Sequence, residues 1–198
     1  MSPISTIVVA MAVSIGAPLT DVLDIPSIPG AHMSETFELK KIDPSGVKTA
    51  IERAEHYRLL NDPTQAESIC LDVLEVEADN QTAKRILILA LTDQFADRAA
   101  TSRVRLALEH AASLTNEYER VYYEGLIHER EGRAYLEKGL ASENAYECFA
   151  DAMELYEKAA ELASTGNPDP TLRWNSCVRT IISHRLEPRT EHKVLMLE

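Results

Sequence analysis

The middle of this chain almost lacks the two residues that interrupt regular structure. No proline occurs between Pro63 and Pro168 and no glycine between Gly46 and Gly125, which excludes a turn-rich β architecture there and predicts helices. Cysteine is scarce. Cys70, Cys148 and Cys177 are three and cannot all pair, no CxxC occurs, and no histidine stands at ligand spacing from any of them. Neither a disulfide framework nor a zinc site is expected, and the thiols read as small hydrophobes in helical stripes. Positive charge is also short: 20 Lys and Arg stand against 32 Asp and Glu, a net charge of −12. Such a surface repels phosphate backbones, so no nucleic-acid partner is expected. Seven glycines, scattered through helices and leader, leave little loop from which to build a Walker-type phosphate cradle, a dinucleotide fingerprint or a Gly-x-Ser-x-Gly elbow, and none is found. No cofactor is expected.

What is present suits one domain with appended ends. The 198 residues, 45% hydrophobic and 26% charged, are long enough for a packed core and too mixed for bulk disorder. Residues 1–43 read as a leader, 44–184 as a helical domain and 185–198 as a tail. Residues 1–32 carry two Asp and no Lys or Arg, and Ile4 to Leu19 is nearly all apolar or small. That stretch is too short for an ordinary spanning helix, and no membrane association is expected. It reads either as upstream or disordered sequence ahead of Met33, which implies a cytoplasmic protein, or as an export signal in residues 1–17 that lacks a basic n-region. The tail residues Val194 to Leu197 either dock on the protein's own surface, touch another subunit or fray.

Three Asp-Pro pairs, Asp43-Pro44, Asp62-Pro63 and Asp169-Pro170, each precede a periodic apolar run. Asp accepts free amide protons at a helix start, and proline in the first turn gives up a donor that has no partner there. Ala66, Ile69, Cys70, Val73 and Leu74 follow the spacing of an amphipathic helix, as do Trp174, Cys177, Val178, Ile181 and Ile182. The run from Arg85 to Leu91 is apolar nearly all round and should lie at the centre of the core. Helices are predicted over 44–60, 63–76, 81–95, 99–114, 117–138, 142–164 and 170–184. Gly125 and Gly132, on one side of the fifth helix, read as a site of close helix approach, and Phe149 as a central ring.

A shift of 34 residues superposes Ala66 on Ala100, Cys70 on Val104, Val73 on Ala107, Leu74 on Leu108 and Ala78 on Ala112, with Ala54 and Tyr57 falling on Ile88 and Leu91. Small residues where helices cross and larger ones toward the next unit are what stacked hairpins need. With Ala152, Tyr156 and Ala159 later in the chain, these residues resemble the tetratricopeptide repeat family. Asn61 replaces the glycine expected near the end of the first helix, Ala78 and Ser164 replace the helix-ending proline, and the third unit is about 18 residues longer than the repeat allows. The resemblance implies an all-α right-handed solenoid of antiparallel hairpins with a capping helix that carries Trp174; a generic helical bundle is the alternative.

No catalytic signature accompanies the helices. His128-Glu129 is followed by Gly132 where a zinc-protease helix needs its second histidine. Glu129 and Glu131, or Glu154 and Glu157, read as salt-bridged solvated faces, no metal site is expected, and the chain is read as no enzyme. The resemblance implies binding of a protein or peptide on a concave face lined by the first helix of each unit. Those positions are Lys48, Glu55, Arg58, Arg85, Asp93, Tyr122, Glu129 and Arg130. Ile51 and Glu55 stand where the family's carboxylate-clamping residues would be, so that activity is not carried over. A structural subunit that self-associates as a homo-oligomer or caps a larger assembly is the alternative function. An enzyme whose site assembles across helices is a third.

Overall fold

The computed structural model describes residues 38–96, 100–140 and 142–189. The expectations for the leader before residue 38 and for the tail at 194–197 fall outside these residues. Within the compact unit that begins at Leu39, a 3-10 turn at Pro44–Gly46 leads into seven α-helices: α1 (Val47–Leu59), α2 (Pro63–Val76), α3 (Gln81–Thr92), α4 (Ala100–Ala112), α5 (Glu117–Glu137), α6 (Ser142–Leu162) and α7 (Asp169–His184). The described residues are all-helical, with no strand among them.

The helix starts follow their caps. Asp62 accepts from the Gln65 amide at 3.1 Å, Asn80 from that of Ala83 at 2.9 Å and Asn116 from that of Glu119 at 3.2 Å, each satisfying a donor that has no partner within the first turn. Two Asp-Pro starts differ from expectation. Asp43 caps the 3-10 turn, so α1 begins only at Val47. Asp169 is itself the first residue of α7, and Asn167 accepts from its amide at 3.0 Å. The end of α1 explains the missing glycine. Asn61 adopts φ 60°, its amide donates to the Arg58 carbonyl at 3.0 Å, and the Asp62 amide donates to the Tyr57 carbonyl at 2.9 Å. Asparagine tolerates this left-handed position better than most side chains, and the paired bonds complete a Schellman motif.

Each helix packs on the next along the chain, and α1 also touches α3, α3 touches α5, and α5 touches α7. One core gathers Ile86, Leu87, Ile88 and Leu91 of α3 with Ala54, Cys70, Ala107, Ala111 and Ile127, as the apolar run in α3 predicts. A second gathers Ala145, Phe149, Ala152 and Tyr156 of α6 with Cys177 of α7, and Phe149 is fully buried. Helix α5 serves both, giving Ile127 and Ala134 to the first and Tyr122, Tyr135 and Leu136 to the second.

The extra length of the third pair is divided between its helices, since α5 and α6 have 21 residues each while α1 to α4 have 12 to 14. Their close approach depends on glycine. A Cβ at Gly125 would lie 3.2 Å from Leu155 Cβ, and one at Gly132 would lie 3.2 Å from the Ala145 carbonyl oxygen, Cys148 Cβ and the Phe149 ring.

Candidate functional site

Side chains from the odd-numbered helices converge at the C-terminal ends of α1 and α3. Asp93, the C-cap residue just after α3, stands between two arginines: its Oδ2 is 2.7 Å from Arg58 Nε of α1, and its Oδ1 accepts from Arg130 Nη1 of α5 at 3.0 Å. The three side chains are 20 to 28% exposed. Arg58 lies in the last turn of α1, where the partial negative charge of a helix end favours a cation. Its Nε is buried, and the N–H is not aligned for a hydrogen bond with the nearby carboxylate.

The turn that presents Asp93 is tied down. Gln94 is buried and donates to Glu67 of α2 at 2.7 Å and to the Ala90 carbonyl at 3.1 Å, while Lys138 donates to the Phe95 carbonyl at 2.8 Å. Phe95 itself is buried. Helix α3 therefore stops at Thr92 rather than at 95, and the following residues fold back into the core. A cleft of about 410 Å³ opens beside the three charges; Leu59, Asn61, Thr92, Arg133 and Glu137 complete much of its wall.

A second group repeats the chemistry one turn further along. Glu129 is fully buried, which corrects its assignment to an exposed, solvated face. Arg133 Nε and Nη2 donate to Glu129 Oε1 at 3.1 and 2.9 Å, and Arg173 Nη1 of α7 reaches the same oxygen at 3.5 Å. The Tyr156 hydroxyl donates to Oε2 at 2.7 Å, and Arg133 also donates to Ser176 Oγ at 3.0 Å. The network joins α5, α6 and α7. Burial and then the Glu129 charge push the Tyr156 hydroxyl far above the ordinary tyrosine range, so it stays a donor to that carboxylate. Burial is the largest influence and disfavours the Arg173 cation, but the Glu129 charge, a hydrogen bond with Tyr122 and the nearby Tyr122 and Tyr156 hydroxyls together outweigh it and raise the Arg173 pKa.

The remaining expected positions are dispersed. Arg85 donates through Nη1 to both oxygens of Glu119 at 3.0 and 3.1 Å and through Nη2 to Thr82. This pair lies near the N-terminal ends of α3 and α5, away from Asp93. Tyr122 is half-buried, stacked on Tyr118 with ring centres 5.6 Å apart and tilted against Tyr156 at 5.8 Å. Lys48 and Glu55 are exposed on α1. The structure thus brings together Arg58, Asp93 and Arg130; Glu129 is the centre of the neighbouring group, and Tyr122 packs on the Tyr156 ring of that group. Arg133 and Arg173 belong to the same face and were not singled out in the sequence. Arg133 stands four residues after Glu129, the spacing of a helical ion pair, while Arg173 offered no local signal.

The thiols match their reading as hydrophobes. Cys70, Cys148 and Cys177 are free, and burial above all pushes each pKa up to about 12, far from a reactive thiolate. Among the described residues no group of three His, Cys, Asp or Glu side chains could hold a metal ion, and no helix is long and apolar enough to cross a membrane. No family model, curated protein or solved structure matches the chain.

Proposed function

We propose that this chain is a non-catalytic binding module of the tetratricopeptide type. In this reading α1–α2, α3–α4 and α5–α6 are three stacked hairpins, α7 caps the last, and the odd helices line a concave face that holds a peptide or a segment of a partner protein. The observation that carries it is a contact between residues one repeat apart. Arg85 pairs with Glu119, and Gln81 Oε1 accepts from the Thr115 amide at 2.9 Å, both across 34 positions. Equivalent positions of successive units meet in this way when hairpins stack with a constant step. Contacts among α1, α3, α5 and α7 support the same arrangement, since the first helices of stacked units form one layer. The charged groups on that layer give it directional hydrogen bonding of the kind that anchors partners.

Photo-crosslinkers placed at the exposed Glu55 of α1, at Glu137 of α5 beside the cleft and, as controls, at Leu71 and Arg105 on the even helices test this reading. Partner peptides should crosslink at the first two positions. Crosslinking confined to the even helices would remove the odd face from consideration. A second reading, a structural subunit that self-associates, is favoured by Leu172 and Ile182, which are 58% and 70% exposed on α7. Light scattering across a concentration series separates the two. A mass that stays monomeric excludes self-assembly, and a dimer that Leu172→Ser and Ile182→Ser dissolve would establish it.

A further inference from the structure

We infer that the cleft beside Asp93 takes an acidic peptide segment, one carboxylate of which enters between Arg58 and Arg130 while a neighbouring apolar residue rests on Leu59. The inference rests on the odd-helix binding face proposed above and gives it a ligand class. Its basis is an imbalance of charge. At and beside this cleft two carboxylates are each shared by two guanidiniums: Asp93 by Arg58 and Arg130, and Glu129 by Arg133 and Arg173. Each triad keeps one positive charge beyond what its own acid neutralises. Glu137 stands at the rim of the cleft and is exposed, where solvent screens it more than the half-buried arginines. A locally cationic cleft on a chain of net charge −12 attracts an anion that the rest of the surface repels.

Geometry supports the same ligand. Arg58 and Arg130 each keep about one-quarter of the side chain exposed at the cleft, and an arginine fork is suited to a planar carboxylate. Asp93 already touches both guanidiniums, so the ligand carboxylate competes with it for them and takes up the positive charge that one acid leaves over. Leu59 is 82% exposed and lines the same cleft. An apolar side chain beside the ligand carboxylate would cover it, so a free small anion does not use the whole site.

An array of random peptides probed with the full chain tests the inference. Bound peptides should be enriched in Asp or Glu next to an apolar residue. Binding should weaken about tenfold in Arg58→Gln and Arg130→Gln, the scale of losing a charge-assisted pair at an interface, with helicity by circular dichroism unchanged. Leu59→Ser should weaken it less. Should either arginine variant unfold, the wild-type chain still decides: raising salt from roughly 0.05 to 0.5 M should release the peptides, and binding that ignores salt would overturn the inference. Enrichment in neutral or basic peptides, lost in the same variants, would leave the binding face standing and remove the acidic ligand. Peptides displaced completely by inorganic phosphate at constant ionic strength would point to a small-anion site instead. Absence of any bound peptide, or binding that neither variant alters, would remove both readings.

Discussion

The two arginine-carboxylate-arginine groups are built from the same parts and differ in burial. Glu129 is wholly enclosed, accepts a tyrosine hydroxyl on one oxygen and two guanidiniums on the other, and ties three helices together. Asp93 sits at a cleft with its side chain one-fifth exposed, and the Nε of Arg58 beside it makes no aligned hydrogen bond. Burial raises the cost of an unmet charge, so the enclosed group acts as a fastener whose members depend on one another. The half-open group, with side chains 20 to 28% exposed, contributes less to the fold. The enclosed group holds helices together, and the half-open one is where the proposed ligand would compete.

The strongest way to break this comparison is Glu129→Ala. It leaves the Tyr156 hydroxyl, Arg133 and Arg173 without their common acceptor, and stability measured by urea titration should fall by about 3–5 kcal/mol. Phe149→Ala, in the core beside the same network, should cost a similar about 3–5 kcal/mol through lost contact and a residual cavity. A loss below about 0.5 kcal/mol for Glu129→Ala would mean that water reaches the carboxylate and that the two groups do not differ as argued.

A smaller effect is expected where α5 and α6 touch. Gly132→Ala places a methyl 3.2 Å from a backbone oxygen and from the Cys148 Cβ, neither of which can swing aside, and should cost about 1–3 kcal/mol. Gly46→Ala meets nothing within 4 Å and has a negative φ, so it should instead stabilise by about 0.4–1 kcal/mol through the unfolded state. Equal effects from the two substitutions, measured by thermal melts, would show that close approach is not what α5 requires of its glycines.

The sequence carried the helices because their causes are local: apolar spacing, Asp62, and the absence of interruptions through the middle of the chain. It also placed α3 at the centre, since only a helix covered on several sides can afford Ile86, Leu87, Ile88, Ala90 and Leu91 together. The role of Glu129 was harder to see. Read beside Glu131 it resembles an exposed charge, and the partners that make burial tolerable, Tyr156 and Arg173, lie 27 and 44 positions away. A signal was nevertheless present. Gly125, Glu129 and Gly132 fall at i, i+4 and i+7 on one face of α5, so a helix that approaches the glycines must also cover the glutamate. The end of α3 failed for a similar reason, because Phe95 continues the apolar pattern but reaches the core from a turn held by Gln94 and Lys138, which are contacts to other helices.

Asp93→Asn sharpens the comparison most and should disturb the fold least. Its arginine partners are about one-quarter exposed, and exposed or half-exposed ion pairs contribute on the order of 0–1 kcal/mol, so the urea midpoint should move little. The binding effect should be of opposite sign to that of an ordinary site mutation. Removing the internal acid leaves Arg58 and Arg130 facing each other with an amide between them, and their excess charge rises by one. An acidic peptide then meets a more positive cleft and no longer competes with Asp93 for the guanidiniums, so its affinity should increase while the fold is retained. A weaker acidic peptide, with an unchanged urea midpoint, would mean that Asp93 positions the arginines for the ligand rather than competing with it. A large loss of stability would instead place Asp93 with Glu129 as a fastener and erase the distinction between the two groups.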